Sequence, residues 1–303
     1  MRYRYLALIL IVALLAGAPD ARPQTSQAGK PKFRKGEVIV EIRPGASIDA
    51  INARIGTTTI QHLFGTNYYR LRTRKGKKEK KFRKRLAKDP DVLSAALNPV
   101  VSSVTLFGRI LSGFPDGFAS PGHTLTEYTS QQSLVDLLRL DEVNQRSRGA
   151  GVVVAIIDTG ISRAHTELAP RLWQDRRPNA EIPLDGIDND QDGLIDDDIG
   201  WDFIDGDNDP TELPEDPETT VAGHGTFIAG IISMVAPDAL IMPIRAFPSD
   251  GQGDAFTVAS AVKYATDHGA HVINLSLGSP TTDELLLSAI NYARDRGVVV
   301  VAA

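Results

Sequence analysis

Two short stretches of this 303-residue chain combine residue types that can hold and move a proton. In VVVAIIDTGIS, Asp158 ends a run of six apolar residues. A carboxylate in such a place costs free energy unless it is paired or hydrogen-bonded. In AGHGTFIAGII, His224 stands between Gly223 and Gly225, just before an apolar helical pattern from Thr226 to Met234. A helix N-terminus disfavours imidazolium, which keeps the ring neutral and able to act as a base. A buried carboxylate on the far ring nitrogen would fix the tautomer and offset that penalty once the proton is taken up. Taken singly, Asp158 could equally close its strand in an Asx-type turn, and His224 could be a packed or capping residue. An aspartic protease also carries Asp-Thr-Gly, but it needs an all-β fold and a second such carboxylate.

A third stretch, DGIDNDQDGLIDDDIGWDFIDGDNDP, is dominated by acids. Asp188, Asp190, Asp192, Gly193 and Asp196 follow the D-x-D-x-D-G spacing of a calcium loop, which turns alternate carboxylates toward one centre. The twelfth position is Ile199, where an EF-hand needs a bidentate Glu, so Asp197 or Asp198 would have to substitute. The expected cofactor is calcium, with Asp188, Asp190, Asp192 and Asp196 as ligands, since magnesium prefers to keep its waters. A merely solvated acidic loop is the alternative.

The elements around these residues alternate. Apolar strands are expected at Val152–Ile157, Leu240–Ile244, Val272–Leu277 and Val298–Val301. Between them Val258, Ala261, Val262 and Ala265 share one helical face, as do Leu286, Ala289, Ile290 and Ala293. Ser133 with Asp136 resembles a capping box opening a helix through Asn144. Strands alternating with helices imply an α/β, doubly wound parallel sheet covered on both faces.

The first half reads differently. GEVIVEIRPGASIDAINARIG gives a strand over Glu37–Ile42, a turn at Pro44-Gly45, and a helix capped by Ser47 with Ile48, Ile51 and Ile55 on one face. Strands near Thr59–Leu63 and Tyr68–Arg72, a basic helix over Lys77–Lys88, and DPDVLSAALNPVVSSV complete a β-α-β-β-α-β order. That is a small ferredoxin-like α+β unit over 33–106. Residues 107–134 are rich in Gly, Pro, Ser and Thr without apolar periodicity, which reads as an exposed, cleavable linker.

Charge divides the chain the same way. Residues 1–135 hold 22 Lys+Arg against 9 Asp+Glu, and residues 136–303 hold 11 against 29, net charges of +13 and −18. Opposite halves attract. The basic run over 70–88 carries no RNA-stacking aromatic motif, so no nucleic-acid partner is expected. With no cysteine, disulfides, thiol catalysis and Cys-ligated zinc are excluded. Arg2 and Arg4 precede an apolar run from Leu6 to Leu15 and the small residues 16–18. This reads as an export signal over 1–24, too short to span a bilayer comfortably, so the protein is expected to be secreted with no stable membrane anchor.

VVVAIIDTGIS, GHGTFIAGII and HVINLSLGSP occur in the order and strand context of the subtilisin-like (S8) serine peptidases, and residues 135–303 resemble the N-terminal part of that domain. The first half is similar to the family's inhibitory propeptide, through GEVIVEIRPG and DPDVLSAALNP, in its fervidolysin-type version. The resemblance implies a secreted serine endopeptidase made as a zymogen, acting on proteins or peptides and inhibited by its own propeptide in cis. It implies that Asp158 orients and His224 is the general base of an Asp-His-Ser triad. It implies that Ser276, Leu277 and Gly278, with Gly251 and Gly253 in SDGQGDAF, line the cleft and hold peptide as an extended strand. His165 matches a structural position; His268 and His271 carry no expected chemistry. The family's serine sits in a Gly-Thr-Ser-Met-Ala stretch and its oxyanion donor is an asparagine just past RGVVVVAA. Neither stands in these residues. The chain as it stands is therefore expected to be inactive, and a non-catalytic pseudoprotease or calcium-dependent binding module is the alternative reading.

Overall fold

The structure is a computed structural model that describes residues 32–74, 79–103, 138–212, 223–278 and 283–302. The expected export signal, the linker over 107–134 and the Ser133/Asp136 capping pair lie outside these residues.

The first unit runs β1 (Phe33–Ile42), α1 (Ile48–Ile55), β2 (Thr57–His62), β3 (Tyr68–Thr73), α2 (Glu79–Leu86) and β4 (Val92–Ser103). Its strands pair antiparallel in the order β4-β1-β3-β2, the arrangement of a split βαβ unit. Helix α1 starts where the Ser47 hydroxyl accepts the Ala50 N–H, and stops at Gly56, whose φ of 81° suits the left-handed position. Val38, Val40 and Ile42 project from one face of β1 onto Ile51 and Ile55 of α1 and Phe82 and Leu86 of α2, forming a separate core. β1 begins earlier than the alternating pattern suggests, at Phe33, because the long β4 pairs with it as far as Phe33 opposite Pro99.

The second unit contains α3 (Leu140–Arg146), β5 (Val153–Asp158), β6 (Trp201–Asp202), α4 (His224–Val235), β7 (Leu240–Arg245), β8 (Gln252–Asp254), α5 (Ala255–Asp267), β9 (Val272–Leu275), β10 (Leu277–Gly278), α6 (Glu284–Asp295) and β11 (Val299–Ala302). Five strands form a parallel sheet in the order β11-β9-β5-β7-β6. The central strand β5 is buried along its whole length. Val154 and Ile156 pack with Ala229 and Ile232 of α4, while Ala155 and Ile157 join the core built by Val258 and Val262 of α5 and Leu286 and Ala289 of α6. Burying each Val or Ile of this strand contributes about 1.5–3 kcal/mol, which anchors the carboxyl end carrying Asp158.

The expected strand Val272–Leu277 ends at Leu275. The chain leaves the parallel sheet at Ser276, and Leu277–Gly278 pair instead with the end of β4. On the other side of β4, Val100, Val101 and Ser102 pair antiparallel with Asp254, Gly253 and Gln252 of β8. The last residues of the first unit are thus the middle strand of a three-stranded antiparallel ribbon whose outer strands belong to the second unit. Val101 is fully buried there.

Candidate active site

Asp158 reaches its place because β5 ends under the sheet's carboxyl edge, and His224 because α4 begins there. Gly223, with φ 84°, turns the chain into the helix. The two side chains, 1% and 3% exposed, meet with His224 Nδ1 2.6 Å from Asp158 Oδ1. A carboxylate only accepts, so Nδ1 carries the hydrogen and the acid–base work falls to Nε2. The Thr159 N–H also donates to Asp158 Oδ1, at 2.8 Å, holding the carboxylate in its rotamer.

The two motifs are tied by a residue that no spacing rule singled out. Thr159, next to Asp158, donates its hydroxyl to Glu212 Oε1, and Thr226, two past His224, donates its hydroxyl to Glu212 Oε2 at 2.5 Å. The same hydroxyls accept the N–H groups of Gly225 and Ser162. Burial raises the Glu212 pKa, and the two threonine hydrogen bonds oppose that rise. Glu212 was missed because it follows the acidic insertion, where carboxylates are dense and none is marked by its neighbours.

Burial alone would lower the His224 pKa, but the charge and hydrogen bond of Asp158, with the charge of Glu212, outweigh it and raise the value above the usual 6.5. The imidazolium–carboxylate pair therefore stabilises the fold fully below about pH 6.5, and that contribution is lost as pH rises through the elevated folded value. NMR titration is expected to show His224 deprotonating above an ordinary histidine, and Asp158→Asn should lower its midpoint, because burial is then opposed only by the charge of Glu212. An unchanged midpoint in the variant would contradict the pairing.

The expected cleft residues fall on one ribbon. Leu277 pairs with Ser103, Gly278 with Ser102, and Gly253 with Val101. At Gly253 a Cβ would come 2.7 Å from the Phe247 ring, so only glycine lets β8 lie this close. Gly251 makes the turn before β8 with φ 69°, and its N–H donates to the Pro248 carbonyl. Ser276 sits at the break between β9 and β10 and accepts from Asn274 Nδ2 at 2.8 Å. β9 runs beside β5 with Leu275 opposite Ile157, so the ribbon starts at the sheet edge that presents Asp158.

The unit that supplies the middle strand is also held by polar contacts. Arg70 and Arg34 approach Asp254 at 3.2 and 3.6 Å. Buried Asn98 donates to Asp254 Oδ1 at 3.0 Å and accepts the Phe256 N–H, while Asp254 itself caps α5 by accepting from Thr257. Lys80, Arg83 and Lys84 of α2 line a groove opposite Asp283 and Glu284 at the start of α6.

The acidic loop folds around its own backbone N–H groups. Asp188 accepts from Asp192 and Gly193, and Glu181 from Asn189, Asp190 and Asp196. Ligand oxygens of Glu181, Asp188 and Asp190 lie within 4.8 Å of one another. Asp196 stands apart, its carboxylate holding the N–H groups of Asp185 and Gly186. Asp197 instead is fully buried and faces His268, as do Asp190 and Asp192. Burial and the Asp197 charge push Asp192 up to about 7. Burial would lower His268, but the nearby carboxylates of Asp190 and Asp197 carry it to about 9. His268 lies about 70 residues beyond the loop and only the fold of α5 against it brings the two together, so the sequence showed no link.

Comparison with known proteins places this geometry. The model described as the subtilase family, peptidase S8, matches residues 149–303, and that of the fervidolysin N-terminal prodomain matches residues 19–98. Thermitase of Thermoactinomyces vulgaris is 34% identical over 167 residues, covering 52% of this chain and 48% of its own. Subtilisin BL of Lederbergia lenta is 33% identical over 170 residues, covering 53% and 49%. The chain thus spans about half the length of these relatives. The fold resembles the crystal structure of fervidolysin from Fervidobacterium pennivorans, a keratinolytic enzyme related to subtilisin, with a TM-score of 0.61 at 20% identity, over 90% of this chain and 40% of that one. It also resembles the epidermin leader peptide processing serine protease of Staphylococcus aureus, with a TM-score of 0.56 at 18% identity, over 89% and 59%. By its matched domains, its α/β fold and its three motifs, the chain belongs to the subtilase family and carries a fervidolysin-type prodomain ahead of its peptidase S8 domain.

Proposed function

We propose that this chain is the zymogen portion of a secreted subtilisin-like serine endopeptidase, with Asp158 and His224 as two members of its triad. The nucleophilic serine and the oxyanion asparagine that complete such a site do not stand among these residues. Residues 33–106 are the inhibitory prodomain, 107–134 the segment cut on activation, and 135–303 the first part of the peptidase domain. The observation that carries this reading is the end of β4, bound as the middle strand between β8 and β10 beside the Asp158–His224 pair. A peptide substrate would bind by the same main-chain pairing, so prodomain and substrate exclude one another.

His224 Nε2 takes the serine proton as the serine attacks the substrate carbonyl, then returns it to the leaving amine; Asp158 holds the ring and stabilises the imidazolium. Gly253, Leu277 and Gly278 align the peptide, with Gly251 and Ser276 shaping the ends of the ribbon. The opposite charges of the two halves support docking in cis, and the Arg34, Arg70 and Asn98 contacts to Asp254 set its register. The sequence pattern read as an export signal over 1–24 supports secretion, and no helix among the described residues is long and apolar enough to cross a membrane. We read the outer carboxylates Glu181, Asp188 and Asp190 as a structural calcium site, since calcium favours all-oxygen donor sets.

The test is the full-length precursor assayed with a small chromogenic peptide. It is expected to be silent before processing, whereas Val101→Asp, which buries an unpaired carboxylate in the ribbon, should weaken prodomain docking by about 3–5 kcal/mol and release activity without processing. A Val101→Asp precursor as silent as the unaltered one, yet active after proteolytic processing, would overturn the inhibitory role of β4.

A further inference from the structure

We propose that Asp192, Asp197 and His268 form a buried binding site for a divalent transition-metal ion such as zinc, distinct in chemistry from the all-oxygen calcium site on the same loop. The assignment deepens the metal reading of that loop.

Three observations on the residues carry it. The His268 side chain is 1% exposed, and its Nδ1 lies 2.9 Å from the Tyr264 carbonyl oxygen. A carbonyl accepts only, so Nδ1 holds the hydrogen and Nε2 turns its lone pair inward, the arrangement in which a histidine ligates a metal while a backbone carbonyl orients its ring. Around Nε2 lie carboxylate oxygens of Asp197, Asp192 and Asp190, at 3.1, 3.5 and 3.6 Å. An acceptor ringed by acceptors repels them unless a cation sits between. Finally, neither oxygen of fully buried Asp197 has a hydrogen-bond partner, and Nε2 has none either.

The cation could be a proton or a metal. A proton on Nε2 bonds one oxygen and leaves the rest of Asp197 unsatisfied. A metal takes several at once. Ligand atoms at zinc bond lengths of about 2.0–2.1 Å in a tetrahedron stand about 3.3 Å apart, close to the spacings around Nε2. Arg177 pairs with Asp175 and Asp190, so it balances the outer edge of the cluster and leaves Asp192 and Asp197 for the ion. The imidazole decides the class: nitrogen with carboxylate donors suits zinc and its neighbours, whereas calcium takes oxygen. The Tyr264 ring stacks on the His268 imidazole and the edge of Trp173 meets it, which holds the ring in this orientation.

The experiment uses the full chain, stripped of metal and titrated separately with Zn2+, Co2+ and Ca2+. One equivalent of Zn2+ should bind and raise Tm, and one equivalent of Co2+ should develop the visible absorption of a four-coordinate nitrogen–oxygen site. His268→Gln should weaken Zn2+ binding at least about 100-fold and abolish the Co2+ absorption while leaving stabilisation by Ca2+ intact. Asp188→Asn should do the reverse. If His268→Gln does not fold, Asp192→Asn reports instead, because that side chain is 24% exposed and its replacement spares the core. Failure of Zn2+ and Co2+ to bind, or binding that neither variant weakens, overturns the site. Stabilisation by Ca2+ alone overturns it and leaves the calcium reading standing, and no response to any of the three ions overturns both.

Discussion

Asp158→Asn in the full-length gene product is expected to lower kcat/KM for peptide hydrolysis about ten-thousand-fold, equivalent to about 5.5 kcal/mol of transition-state stabilisation. The substitution keeps the shape of the side chain but replaces an oxygen by an N–H donor. Asp158 Oδ1 now accepts from both His224 Nδ1 and the Thr159 N–H. The Thr159 N–H retains the amide oxygen in the same place, where it can still accept from Nδ1 but carries no charge. The ring then loses the charge that stabilises the imidazolium. Because the pair is buried, water cannot replace the lost charge. Steady-state kinetics on the processed, folded variant checks this. A fall of less than tenfold would mean that Asp158 is not the orienting carboxylate.

The second large effect is steric. Gly225→Ala should destabilise the peptidase unit by about 3 kcal/mol, the upper end of the usual cost of overpacking, and lower Tm by about 6–12 °C. A Cβ on Gly225 would stand 2.0 Å from the Gly160 carbonyl oxygen and 3.2 Å from Asp158 Cβ. Neither can yield easily. Gly160 is itself pressed against the loop ahead, where its own Cβ would meet the Pro210 oxygen at 2.7 Å and the Glu212 nitrogen at 2.8 Å. Three backbone segments are stacked without side chains between them, and that stacking brings Asp158 and His224 within hydrogen-bond reach. Gly230→Ala, on the same helix, is the control. Its Cβ would meet nothing within 4 Å, and alanine in a helix interior gains about 0.5–1 kcal/mol over glycine. Calorimetry should find one variant lowered and the other unchanged or raised. Equal Tm values for Gly225→Ala and the unaltered protein would contradict the close packing.

The motifs that make up the acid–base pair were legible because each lies at the end of a strongly patterned element. Six apolar residues before Asp158 can hardly be other than a buried strand, and the glycines around His224 mark a close approach. The parallel sheet and the ferredoxin-like element order of the first unit followed from the same periodicities. What could not be read were contacts between positions far apart in the chain whose pairing leaves no local pattern. Glu212 reaches Thr159 and Thr226 from a loop rich in similar acids. His268, a helix-terminal residue by its neighbours, meets Asp197 only because α5 packs beneath the acidic loop. The choice between Asp196 and Asp197 turned on one backbone angle: Asp196 has a φ of 58°, and its carboxylate is spent on neighbouring N–H groups while Asp197 turns inward. The end of the strand at Leu275 is similar in kind, since the apolar run through Leu277 hides the point where the chain leaves one sheet to hold β4.

The claim at the centre of this account is that His224 is the base of a peptidase whose substrate groove is filled by its own prodomain. It is tested most directly by the initial rate of peptide cleavage by the full-length protein, with and without His224→Ala, before and after removal of the prodomain. The account predicts cleavage only by the processed protein that retains His224, with the alanine variant slower by at least about ten-thousand-fold. Processed His224→Ala cleaving at a rate close to that of the unaltered enzyme would contradict it.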